Sequence, residues 1–154
     1  MIRVDQFDED RQLKKIAQQL NEYIEDQREI DILSLKYKLI ECLETKPHTT
    51  QVLYLLSYLT EHCPYYISEK EIQAILPYTT SKEEKVRINA LIMLGFYVRG
   101  APGVLSSYVK QMAEQLTHPH PKGVRDTILY FLSEMHSQNE HFSIPTISYL
   151  IAAS

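Results

Sequence analysis

Glycine, cysteine and tryptophan are scarce in this sequence of 154 residues, which contains four glycines, two cysteines and no tryptophan. The extended alternation of valine and threonine that is typical of β-strands is also missing, so we expect no sheet. The two cysteines, Cys42 and Cys63, form no CxxC pair and have no histidine pair nearby at zinc spacing. We therefore expect both to be small buried apolar residues rather than parts of a disulfide or a metal site.

Long apolar runs and an excess of positive charge are absent as well. No apolar run approaches the roughly 20 residues of a membrane span. The first residues turn acidic where a signal peptide needs an apolar stretch, so the cytoplasm is the expected location. The formal net charge is −4, whereas proteins that hold phosphate backbones are usually basic. Residues 82–126 nevertheless hold seven basic and four acidic side chains, so a local basic face is an open alternative.

The sequence contains none of the common catalytic motifs. GxGxxG, GxxxxGK[ST], GxSxG and HExxH do not occur, so we expect no enzyme and no cofactor. His118 and His120 lie in a predicted turn and could bind a metal together with His136 or His141. The spacing of these histidines fixes no third ligand, so a polar turn without a metal is the preferred interpretation.

Helical periodicity dominates the chain, because apolar residues recur every three or four positions. Asp8 is the expected N-cap of the first helix. Two capping boxes, in which a serine and a glutamate satisfy each other's free backbone amides, predict helix starts at Ser68 and Ser81. Eight helices are predicted. Two of them lie between 68 and 99, where the first begins at Ser68 and the second ends near Arg99. The other six cover about 8–25, 29–45, 50–62, 104–117, 122–137 and 144–153.

An internal repeat is the most informative feature of the sequence. The pair Val86-Arg87 recurs as Val124-Arg125, 38 residues later. The same step aligns the apolar positions of three predicted helices in common columns. One column holds only the small residues Ser57, Gly95 and Ser133.

Each of the three aligned helices follows another helix, so the repeating unit is a helical hairpin. Two antiparallel helices cannot bury all of their apolar surface by themselves, and stacking one hairpin on the next buries the remainder. We therefore expect one domain, residues 1–154, made of stacked hairpins. The predicted hairpins cover about 29–62, 68–99 and 104–137, and the flanking helices cover 8–25 and 144–153.

The segment from Ser81 to Val98 resembles the second half of a HEAT repeat, with a polar turn, Val-Arg, Ala-Leu and a closing Leu-Gly. The resemblance to HEAT-repeat and armadillo-like α-solenoids implies a right-handed α-α superhelix of about three HEAT-like hairpins with an extra helix at each end. It implies a non-catalytic protein-binding module, adaptor or scaffold. It also implies that Arg87 and Arg125 bond to carbonyls or acids in adjoining turns. A non-repetitive helical bundle is the alternative. The matching residues are Val86, Arg87, Ala90, Leu91, Leu94 and Gly95, and in the next copy Val124, Arg125 and Leu132.

A stripe of aromatic and polar residues runs along the second helix of each hairpin, away from the predicted core positions. In solenoids similar to this one, the second helices line the concave surface, so the stripe would form a groove for a helix or an extended peptide of a partner protein. In the alternative arrangement the second helices are sandwiched and the stripe is buried. The side chains predicted to bind a partner are Tyr54, Tyr58, Lys85, Asn89, Ile92, Phe96 and Tyr130.

The distribution of charge predicts two further candidate binding surfaces. The last thirteen residues, 142–154, carry no charge, so the helix at 144–153 either caps the array or offers an apolar face to a partner or a second copy. The basic residues between 82 and 125 could instead bind nucleic acid or a phospho-ligand if they converge on one face. These residues are Lys82, Lys85, Arg87, Arg99, Lys110, Lys122 and Arg125.

Overall fold

The computed structural model of the protein describes residues 1–45, 47–100, 122, 125–126 and 128–129, with side chains described up to Val98 in the second range. These residues form helices and turns and no β-strand, as the composition predicts. Five α-helices are present in this part of the chain: α1 (Arg11–Glu25), α2 (Glu29–Thr45), α3 (Thr49–His62), α4 (Glu69–Ile75) and α5 (Glu84–Gly100). Short 3-10 helices lie at Val4–Phe7, Pro64–Tyr66 and Leu76–Thr80.

The start of α1 differs from the prediction by two residues. Asp10, not Asp8, is the N-cap, and its carboxylate accepts hydrogen bonds from the backbone N–H groups of Gln12 and Leu13 at 3.0 and 3.1 Å. Asp8 instead forms an ion pair with Lys14, with 2.7 Å between the nitrogen and the oxygen. Both aspartates are good N-cap residues, so the local sequence does not distinguish them. A 3-10 helix precedes α1 and places Phe7 in the core.

The capping box predicted at Ser68 is present, and it begins a short helix. The backbone N–H of Ser68 donates to the carboxylate of Glu71 at 3.2 Å, and the serine oxygen caps the first turn. The helix ends after seven residues, at Ile75, and Pro77 lies in the first turn of the 3-10 helix that follows. The proline lacks a backbone N–H to continue the α-helical pattern. The helix start predicted at Ser81 is wrong: Ser81 accepts the N–H of Glu83 at 3.2 Å within the turn, and α5 begins only at Glu84, so Ser81 and Glu84 do not form a capping box.

Helix α3 lies in the middle of the described structure. It contacts α1, α2 and the 3-10 helix Pro64–Tyr66, and it packs most extensively against α5. The resulting core is continuous from the N-terminal segment to α5 and includes Phe7 as well as Ile128, which is fully buried. No α-helix within the described ranges is long and apolar enough to cross a membrane.

The pattern of side-chain burial in α3 recurs in α5 after 38 residues, which is the period of the repeat in the sequence. Each position from 51 to 60 has the same burial as the position 38 residues later: three are half-buried and seven are buried. Ile128 aligns with the buried residues Val52 and Ala90 and is buried itself. The two helices therefore share one pattern of burial over nearly three turns.

The remaining helix predictions concern residues beyond α5. The five described residues between 122 and 129 are helical, in agreement with a helix over 122–137. The helices predicted at 104–117 and 144–153, together with His118, His120 and Tyr130, lie outside the described residues.

Candidate functional site

The described residues of the predicted stripe lie on α3 and α5, two helices that pack against each other, and we call these residues the α3–α5 face. Its apolar members are half-buried and pack against the core, while their neighbours along both helices are buried. Asn89 is half-buried and Lys85 is exposed. The apolar side chains are thus partly packed against the core and partly accessible. The α3–α5 face consists of Tyr54, Tyr58, Lys85, Asn89, Ile92 and Phe96.

The face begins in a cleft at the N-terminal ends of α3 and α5. Because residues from both helix starts line this cleft, the two helices begin at the same end of the face and run side by side. The cleft has a volume of about 380 Å³ and is polar, with hydroxyl, imidazole, amide, ammonium and carboxylate groups. Its lining residues are Pro47, His48, Thr49, Thr50, Gln51, Glu83 and Lys85.

Gln51 connects the cleft to the first tyrosine of the face. Its side-chain nitrogen donates to the backbone carbonyl of Gln6 at 3.5 Å, a long contact at the limit of hydrogen bonding. Its side-chain oxygen is buried and has no hydrogen-bond partner among the described residues. An unpaired buried acceptor costs free energy, because it has lost its hydrogen bonds to water. One turn further along α3, the ring of Tyr54 contacts that of Phe7, with 6.3 Å between centroids.

The other end of the face carries a second aromatic cluster. The rings of Tyr58 and His62 lie 4.3 Å apart, and the His62 imidazole lies 3.4 Å from the Glu61 carboxylate. Burial raises the pKa of the Tyr58 hydroxyl, and the Glu61 carboxylate raises it further. The hydroxyl therefore stays protonated well above neutral pH and can donate to a partner.

The side chain of Arg87, in the Val86-Arg87 motif, binds the turn that precedes α5. One guanidinium nitrogen of Arg87 donates to the carbonyl of Ser81 at 2.8 Å, which is the kind of bond that the resemblance implies. Its Nε is buried without a hydrogen-bond partner among the described residues. This guanidinium is therefore engaged with backbone. Of the other predicted basic residues, Lys82, Lys85 and Lys122 are exposed.

A buried ion pair joins α2 to α4, and we did not predict it from the sequence. The Nζ atom of Lys36 lies 2.7 Å from a carboxylate oxygen of Glu71, and both side chains are almost fully buried. Lys36 also donates to the backbone carbonyl of Tyr66 at 3.0 Å. The helical spacing of Ile32, Lys36 and Leu39 could have indicated that Lys36 lies on the buried side of α2, but its partner is 35 residues away.

Within the described residues, no group of three or more histidine, cysteine, aspartate or glutamate side chains could hold a metal ion. Comparisons with known proteins yield no family: no protein-family model matches the sequence, and no curated protein or solved structure matches it.

Proposed function

We propose that the protein is a non-catalytic binding module that holds a helix or an extended peptide of another protein on the α3–α5 face. The observation that supports this proposal most directly is the matched pair of half-buried stripes on two adjacent helices. A rigid apolar surface with partly exposed aromatic side chains loses little conformational freedom when a partner covers it. We also propose that the hairpins stack as a HEAT-like superhelix, which the repeated burial of α3 and α5 supports.

The chemistry of the face suggests how a partner would be held. Tyr54, Tyr58, Ile92 and Phe96 provide apolar contacts over one turn in the middle of each helix. The polar cleft at one end provides the exposed ammonium group of Lys85. A bound segment would therefore carry apolar side chains and, near the cleft, a carboxylate or another hydrogen-bond acceptor.

The test is a comparison of captured partners by affinity purification and mass spectrometry. Tyr54→Ala/Phe96→Ala removes one aromatic side chain from each helix, and the loss of an aromatic anchor costs about 2 kcal/mol or more of binding energy. We expect this variant to lose specific partners that the wild-type protein captures. The matched control is Tyr23→Ala/Tyr78→Ala, because both of these tyrosines are half-buried like Tyr54 and Phe96 and lie outside the face.

The outcome depends on both variants remaining folded, which circular dichroism and thermal unfolding establish first. Recovery of every partner by a folded Tyr54→Ala/Phe96→Ala variant would refute binding at this face. Loss of the same partners by the control variant would also refute it, since the effect would then not be specific to the α3–α5 face.

A further inference from the structure

A second surface, on α2 and the 3-10 helix Pro64–Tyr66, exposes large apolar side chains. Ile30 is 83% exposed, Tyr37 is 61% exposed and Tyr65 is 74% exposed. None of them belongs to the α3–α5 face. We call Ile30, Tyr37, Tyr65 and Tyr66 the tyrosine patch.

The buried ion pair between Lys36 and Glu71 connects the two parts of the tyrosine patch. The Nζ atom of Lys36 lies 4.5 Å from the centre of the Tyr37 ring and donates to the backbone carbonyl of Tyr66. The rings of Tyr65 and Tyr66 are 4.4 Å apart. One buried ammonium group thus touches both halves of the patch, and its pairing with Glu71 fixes its position. The exposed rings are therefore presented by a stable framework rather than by a loose loop.

Exposed carboxylates continue the patch along the same side of α2. Ile30 and Tyr37 are two turns apart on the same side of the helix, and Glu41 and Glu44 follow Tyr37 by one and two turns on that side. Both glutamates are exposed, and among the described residues neither has a partner in an ion pair. The N-terminal part of the chain, residues 1–44, is acidic overall, with eleven acidic and seven basic side chains.

We propose that the tyrosine patch binds a segment of a partner protein that carries arginine or lysine among apolar side chains. A cation is attracted to the face of a tyrosine ring, and arginine can in addition pair with a carboxylate through two hydrogen bonds. The chain already contains such a stack, because the Arg28 guanidinium lies 4.5 Å from the centre of the Tyr23 ring. Glu41 and Glu44 attract a basic segment and repel an acidic one.

The experiment selects peptides from a random display library on the immobilised wild-type protein and measures their binding by fluorescence anisotropy. We expect the selected peptides to be enriched in arginine or lysine next to apolar residues. Glu41→Lys/Glu44→Lys and, separately, Tyr37→Ser/Tyr65→Ser should each raise the Kd of these peptides at least about tenfold. The charge-matched control, Glu9→Lys/Glu25→Lys, changes exposed glutamates outside both proposed surfaces and should leave the Kd within about twofold.

Three results would overturn the proposal. The first is a selection that yields no binding peptide, or peptides without cationic enrichment. The second is equal binding to the wild-type protein and the Glu41→Lys/Glu44→Lys variant, with both shown to be folded by circular dichroism. The third is a concentration-dependent dimer in sedimentation velocity that Tyr37→Ser/Tyr65→Ser abolishes, because the occupant would then be a second copy of this chain. Peptides selected for the patch should still bind Tyr54→Ala/Phe96→Ala, which separates this proposal from the one for the α3–α5 face.

Discussion

At the level of single residues, the pair Lys36–Glu71 carries most of the buried charge in the described structure. The ammonium group has the carboxylate of Glu71 and the carbonyl of Tyr66 as acceptors, and the carboxylate also accepts hydrogen bonds from the backbone and the hydroxyl of Ser68. A buried pair with its hydrogen bonds satisfied tolerates removal of both charges far better than removal of one, because a single remaining charge has no compensation.

We therefore expect Lys36→Met to lower the free energy of unfolding by about 3–5 kcal/mol, because it leaves the Glu71 carboxylate buried and unpaired. The double variant Lys36→Met/Glu71→Met should recover a large part of this loss. Urea denaturation followed by circular dichroism measures both. Lys38→Met is the control, since Lys38 is an exposed lysine on the same helix and its replacement should change stability by less than about 0.5 kcal/mol. A double variant as unstable as Lys36→Met would contradict this account.

The same pair makes stability depend on pH. Burial raises the pKa of the Glu71 carboxyl, but the hydrogen bonds from Lys36 and Ser68 and the charge of Lys36 outweigh it, so the pKa lies below the usual value. A carboxyl with a lowered pKa in the folded state contributes stability above its unfolded pKa of about 4.3, and this stability is lost as the pH falls through the folded pKa.

We expect wild-type stability to fall more steeply than that of Glu71→Gln as the pH is lowered below about 4.3, because the variant has no carboxyl to titrate at this position. Urea denaturation at a series of acidic pH values measures the difference. Parallel profiles for the two proteins would show that Glu71 does not contribute to the acid sensitivity.

At the level of helices, the ends depend on interactions within one or two turns, and the choice between neighbouring caps depends on the core. Asp8 and Asp10 are chemically alike, and the position of the buried Phe7 ring decides that the chain enters α1 through Asp10. At α4 the cap is found from sequence, but the length is set by Pro77, two residues after the helix ends.

The two aspartates before α1 provide a direct test of this assignment. Asp10→Ala removes the acceptor of two backbone N–H groups and should lower the free energy of unfolding by about 0.5–2 kcal/mol. Asp8→Ala removes only an exposed ion pair with Lys14, which is worth at most about 1 kcal/mol and often less. Chemical denaturation of the two variants distinguishes them. A larger loss for Asp8→Ala would place the N-cap where we predicted it from the sequence.

At the level of the whole molecule, α3 joins the N-terminal helices to α5. It packs against α1 and α2 on the N-terminal side and against α5 on the other, and its residue Leu56 is fully buried. In the stack of hairpins that we propose, each unit is stabilised mainly by its neighbours. A defect in the shared helix should therefore weaken all of the units at once.

Leu56→Ala should lower the free energy of unfolding by about 2–5 kcal/mol, because it leaves a cavity in the core. We expect unfolding to stay a single transition, with the same midpoint in circular dichroism and in tyrosine fluorescence. Ser34→Ala is the control, since this exposed position on α2 lies away from the core. Separate midpoints for Leu56→Ala would mean that the two sides of α3 unfold independently.

The sequence by itself determined the helical class, the bounds of α2, those of α3 to within one residue, the capping box at Ser68 and the columns that repeat between α3 and α5. These features depend on spacing along one helix or on bonds between residues a turn apart, so local sequence contains the information. The tertiary structure alone decided that Tyr54, Tyr58, Ile92 and Phe96 are half-buried and that Lys36 meets Glu71. Accessibility and pairing depend on which helices become neighbours, and for residues far apart in the chain that is settled only when the core assembles.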